Sequence, residues 1–174
     1  MRNRSLAATA AVAATALTAA IANIATATPA AATETFSIMT TNVPTATVIA
    51  TGGFTAGGTV DAEGKSQKGG KGQKVRFPDG TFVILIHGSG DKHQQFDTAT
   101  CLYTKSGTGA YTLADGTGAY KGISGSGRVS FTLRQVLARV KGVCAQPNTD
   151  VTALEFTETA RGPASFRRDQ QETI

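Results

Sequence analysis

CLYTKSGTGAYTLADGTGAYKGISGSGRVSF, from Cys101 to Phe131, sets seven glycines (Gly107, Gly109, Gly116, Gly118, Gly122, Gly125 and Gly127) among short runs rich in threonine, tyrosine and valine. The spacing leaves no room for an ordinary helix, but it suits strands that curl, turn tightly and start again. Working outward, the same grammar of short alternating runs begins at Phe36 and recurs as far as Thr157. Strands are predicted at Phe36–Thr40 and Thr47–Thr51, the latter continuing through a glycine-bearing run to Val60 that bends at its glycines. Lys74–Phe77 and Thr81–Ile86 flank Pro78-Asp79-Gly80, a tight-turn sequence, and read as a hairpin.

Further strands are predicted at Gln94–Thr104, at Gly109–Leu113 and at Arg128 to about Val140. In the last, Val129, Phe131 and Leu133 alternate in one phase and Val136, Ala138 and Val140 in the other. A bulge near Gln135 accounts for the change; the rival is a helix over Arg134–Val140. Thr152–Thr157 gives a closing strand. About eight strands and no convincing long helix predict an all-β fold, an antiparallel closed barrel whose closure leaves no exposed edge.

Arg2 and Arg4 precede an uncharged Ala/Thr-rich stretch from Ser5 to Thr33, the layout of a secretory signal. Small residues at Ala30-Ala31-Ala32, just after Pro29, place the expected cleavage after Ala32; the alternative is an earlier cut near Ala27. The expected organisation is therefore a signal peptide over 1–32, a barrel over 33–160 and a polar C-terminal tail over 161–174. The rival for the first segment is a membrane anchor. Alanine and threonine favour the bilayer only weakly, however, and no basic stop-transfer cluster follows. The expected location is extracellular, with the membrane involved only through the export signal. Seventeen basic and twelve acidic residues give +5, which falls to +3 once Arg2 and Arg4 are removed. That modest charge argues against a nucleic-acid partner. In an oxidising compartment Cys101 and Cys144, the only cysteines, most simply pair with each other; two buried thiols are the alternative.

The segment Gly116-Thr117-Gly118-Ala119-Tyr120-Lys121-Gly122-Ile123-Ser124-Gly125-Ser126-Gly127 resembles the glycine-rich hairpin of allene oxide cyclase and dirigent-type barrels. The run from Phe96 to Phe131 is similar to small bacterial secreted relatives of those barrels, mostly of unassigned function. The resemblance implies an eight-stranded barrel with an apolar interior. It carries over no catalytic apparatus, because no local motif matches the polar pocket residues of those families. Gly116, Gly118, Gly122, Gly125 and Gly127 read as structural, supplying positive φ and close backbone approach.

Other constellations are weaker. Gly116-x-Gly118-x-x-x-Gly122 misses the dinucleotide spacing by one and has no βαβ unit around it. Gly64-Lys65-Ser66 lacks the first glycine of a phosphate loop. Lys65, Lys68, Lys71 and Lys74 form a basic, glycine-rich segment that reads as a solvated loop or, alternatively, a polyanion contact; no aromatics interleave for base stacking. His87, Asp91 and His93 match no metal spacing, and His87-Gly88-Ser89-Gly90 lacks a nucleophile elbow. No cofactor or metal is expected. Phe54, Phe82, Phe96, Tyr103, Tyr111 and Phe131 are candidates to line a ligand cavity, the alternative being that they simply fill the core. The sequence is read as a secreted, non-catalytic barrel binding a small apolar ligand or a surface partner; the alternative is an isomerase or cyclase acting inside an apolar barrel cavity.

Overall fold

The computed structural model describes residues 31–41, 45–65, 71–88, 90, 92–144 and 150–165. Most of the expected signal peptide, the middle of the lysine run, Ser89, Asp91 and the end of the expected tail lie outside them. Eleven strands and one short 3-10 turn follow in order: β1 (Ala32–Thr40), β2 (Thr45–Thr51), β3 (Ala56–Lys65), β4 (Lys71–Phe77), β5 (Gly80–His87), β6 (Lys92–Asp97), β7 (Leu102–Ala114), the 3-10 turn Gly118–Tyr120, β8 (Ser124–Leu137), β9 (Arg139–Val140), β10 (Val143–Cys144) and β11 (Val151–Ser165).

Nine of the strands form one antiparallel sheet, which closes through pairing of β5 with β7 and of β1 with β11. β5 and β6 both use the same edge of β7. β5 pairs with Ala110–Ala114 and β6 with Leu102–Gly107. Between them the Gly90 amide donates to the Thr108 carbonyl at 2.7 Å. They act as one interrupted stave, so the molecule is a closed eight-stranded up-and-down barrel, as the strand count predicts. β9 and β10 form a separate hairpin through Lys141-Gly142, both at positive φ, the signature of a two-residue primed turn.

Period-two alternation sorts the side chains. In β1, Glu34, Phe36 and Ile38 are buried while Ser37 and Met39 face out. Inward residues of the other staves meet them, and Phe36, Phe54, Phe77, Phe82 and Tyr120 interlock at one end with ring centroids 5.3–6.2 Å apart. The loop between β7 and β8 closes this end by contributing Tyr120 and Ile123 to the core. Thr117 and Ala119 donate their amides to Thr81 and Asp79, fixing the loop to the β4–β5 turn. Gly118 sits at φ 58°, where a Cβ would also strike the Asp79 carbonyl, so the glycine motif here is structural.

Several local expectations shift. The hairpin at Pro78-Asp79-Gly80 forms, with Phe77 opposite Gly80. The run from Thr47 to Val60 is not one bent strand but a hairpin, because Gly52 at φ 135° turns the chain and sets Ala50 opposite Ala56. The strand expected over Gln94–Thr104 is cut in two. Asp97 accepts hydrogen bonds from the Ala99 amide and the Thr100 hydroxyl, both at 2.8 Å, and Cys101 adopts φ 58°, so the chain reverses there. β7 then runs without a break through Gly107 and Gly109. β8 holds one phase from Val129 to Leu137, and the bulge lies across from it in β11, where Thr152 is the extra residue between Val151 and Ala153. β11 continues through Arg161–Ser165, so the barrel's last strand takes in the first residues of the segment expected to be tail.

Beyond the barrel rim, Cys101, Leu137 and Cys144 form a separate buried cluster against Phe96. The two cysteines form the expected disulfide, with Cα atoms 5.2 Å apart. It ties the β6–β7 turn to the β9–β10 hairpin.

Candidate functional site

Opposite the aromatic plug, the barrel interior is unfilled. A partly open cavity of about 240 Å³ is lined by Ile86, Gly88, Thr108, Gly109, Val129, Phe131, Phe156 and Glu158. Two features of the sequence create it. Gly109 occupies an inward position of β7, opposite Val129 of β8, and leaves that part of the wall without a side chain. A Cβ on Gly109 would stand 3.3 Å from Val129 Cγ1 and 3.2 Å from the Gly88 carbonyl oxygen, so even alanine would crowd the wall. Phe131 and Phe156, from adjacent strands, stack with centroids 6.3 Å apart and supply the flat apolar side.

Glu158 is the one charged residue of that lining. It stands two residues after Phe156 and two before Ala160 in β11, in phase with both, so the pleat points it inward, and it is 4% exposed. Gln73 of β4 reaches it across the interior, Nε2 donating to Oε2 at 2.9 Å. Oε1 of the glutamate has no partner among the described residues. Burial raises the carboxyl above its ordinary value of 4.5, and the Gln73 hydrogen bond only partly opposes this. The result is a carboxyl inclined to keep its proton and, in that form, able to donate a hydrogen bond into an apolar space.

A second carboxyl, Glu34, lies deeper, fully buried near the plug. Its Oε2 accepts from the Phe54 amide at 3.2 Å. Burial raises its pKa, against the lowering effect of backbone hydrogen bonds from Phe54, Gly53 and Thr35. Tyr111 is wholly buried, its phenol raised by burial and further by the charge of Glu34. Neither Glu34 Oε1 nor the Tyr111 hydroxyl has a hydrogen-bond partner among the described residues.

Of the aromatics singled out from sequence, Phe131 lines the cavity. Phe54, Phe82 and Tyr111 belong to the packed core, Phe96 packs on the disulfide cluster, and Tyr103 is half-buried on β7 opposite Phe96. Glu34, Gln73, Phe156 and Glu158 were not singled out. The signal for both carboxylates was present: each falls in the inward phase of an alternating run, between apolar neighbours two residues away. His87 hydrogen-bonds Thr112 through Nε2 at 2.7 Å. Among the described residues no three His, Cys, Asp or Glu side chains gather as a metal site.

Comparisons of the chain with protein families, with curated proteins and with solved structures return no match.

Proposed function

We propose that this is an exported barrel that holds a small, largely apolar molecule in the cavity at its open end. One observation carries the reading: apolar walls from Ile86, Val129, Phe131 and Phe156 surround a single carboxyl, Glu158, whose Oε1 has no partner among the described residues. Ligand pockets commonly pair a greasy lining with few polar groups in this way. At about 240 Å³ the space is below the roughly 300–1,000 Å³ that drug-sized ligands occupy, which favours a compact ligand. In its protonated form, which burial favours, the carboxyl suits a ligand with one hydrogen-bond acceptor, such as a ketone. Export is supported by Arg2, Arg4 and the uncharged stretch to Thr33, and kinship with allene oxide cyclase and dirigent-type barrels by the glycine-rich β7–β8 segment.

The buried carboxyl also favours a second reading, an isomerase or cyclase of the kind that resemblance implies. In it Glu158 would protonate a bound substrate as general acid, its raised pKa suiting the task.

Camphor, a compact cyclic ketone, and its parent hydrocarbon camphane serve as probes in an amide-resolved NMR titration. Saturable shifts at Gly109, Val129, Phe131 and Glu158, stronger for the ketone and lost in Phe131→Trp, are expected. Failure of both probes to move those amides would overturn the binding reading. For the second reading, Glu158→Gln should retain ligand and abolish turnover of a convertible one.

A further inference from the structure

Outside the barrel wall, on the opposite side of β7 and β8 from the cavity, the register places four residues in one row across four strands. His87 of β5 faces Ala110 of β7, Ala110 faces Arg128 of β8, and Arg128 faces Arg161 of β11. The next row sets Thr108 opposite Ser130 and Ser130 opposite Thr159. Ala110, Gly88 and Gly90 keep the middle of these rows low, and a groove of about 670 Å³ results.

Two arginines directly opposite one another repel, at a spacing of about 5 Å between Cβ atoms. Other outward arginines are engaged: Arg76 pairs with Asp61 at 2.8 Å, Arg134 with Glu155 at 2.9 Å, and Arg139 donates to the Gly142 and Ala99 carbonyls. Arg128 and Arg161 have no such partner, and no carboxylate lines the groove, among the described residues. His87 is held by Thr112 and adds a further nitrogen donor or acceptor to the groove's edge. Charge-assisted, forked hydrogen bonds to an oxyanion are the interaction guanidinium groups make best.

We infer that this outer groove binds a phosphate or sulfate monoester carried on a hydroxyl-rich body, such as a phosphorylated or sulfated sugar. Arg128 and Arg161 grip the oxyanion, and Thr108, Ser130 and Thr159 meet the hydroxyls. The anion removes the arginine–arginine repulsion, so binding stabilises the barrel. The groove adjoins the interior cavity, sharing Gly88, Thr108, Gly109 and Val129 with its lining, but Arg128, Arg161, Ser130 and Thr159 belong to the groove alone.

Glucose 6-phosphate, inorganic phosphate and glucose, titrated into the full chain at low salt, test it. Glucose 6-phosphate is expected to shift the amides of Gly88, Ala110, Arg128 and Arg161 saturably, to bind more tightly than inorganic phosphate, and to raise the melting temperature; glucose should do none of these. Arg128→Gln and Arg161→Gln should each weaken binding at least about tenfold, the loss of one charge-assisted contact. Both are exposed positions, so they should fold. Lys121→Gln removes the same charge elsewhere and should leave affinity unchanged. Equal weakening by Lys121→Gln, or none in the arginine variants, would overturn the site. Equal binding of inorganic phosphate would overturn the assignment of the hydroxyl row.

Discussion

Replacing Glu158 by Gln keeps the side chain's shape and the hydrogen bond from Gln73 but removes the ability to ionise. The wild-type carboxyl is 4% exposed and its Oε1 has no donor among the described residues, so its anion occupies a site where only the Gln73 hydrogen bond to Oε2 compensates for burial. A buried acceptor without a partner costs about 1–3 kcal/mol, and more when charged. Because the native pKa lies above the ordinary 4.5, the folded protein holds more protons than the unfolded chain over that interval. The stability Glu158 contributes is therefore complete below its unfolded pKa and is lost as pH rises through the native value. Near pH 8, Glu158→Gln should be more stable than wild type by about 1–3 kcal/mol. At roughly 2–4 °C per kcal/mol for a chain of this size, the melting temperature should rise by about 2–12 °C. Near pH 4 the difference should vanish. Thermal unfolding of both proteins across that range reads the gap directly. A gap of equal size at both ends, or a variant less stable than wild type near pH 8, would refute the claim that burial raises this carboxyl.

Glu34→Gln should show the same sign, because burial dominates over its backbone hydrogen bonds; a variant less stable near pH 8 would contradict this. Opening the Cys101–Cys144 bridge, which closes a separation of 43 residues, should cost about 4 kcal/mol in the chain-entropy model, read as a fall in melting temperature on reduction or in Cys101→Ala; two titratable thiols in the native protein would contradict the pairing. Gly127→Ala should destabilise by about 1–3 kcal/mol or more, since its Cβ would fall on the Arg161 carbonyl oxygen. Gly57→Ala, with nothing within 4 Å, should be close to neutral, and equal losses at the two positions would refute close packing of β8 on β11.

The barrel was legible wherever alternation was clean. Phe36-Ser37-Ile38 and Leu154-Glu155-Phe156 carry side chains whose polarity follows the pleat, and Pro78-Asp79-Gly80 marks its turn directly. It was least legible where a polar stretch serves two purposes. Gln94–Thr104 reads as one run, yet Asp97 caps a reversal there, and such side-chain caps leave hydrophobic periodicity untouched. Arg161–Ser165 looked like tail because Arg161, Gly162 and Pro163 are poor strand residues, but pairing with β1 on one side and β8 on the other holds them in the sheet. The cavity was the hardest part to see. It is made by the missing side chain at Gly109, and by a glutamate in an inward phase, where composition alone puts a charge outside. Of the six aromatic cavity candidates only Phe131 lines the space, because Phe54 and Phe82 pack in the plug at the opposite end, Tyr111 fills the core, and Phe96 and Tyr103 lie together beside the disulfide cluster.

Native mass spectrometry of the protein isolated without denaturation tests most directly whether the interior cavity is a binding site. The expected spectrum contains a small apolar adduct that disappears in Phe131→Trp, whose larger ring fills the space. A wild-type spectrum showing only the bare polypeptide, or an adduct that persists in Phe131→Trp, would contradict it.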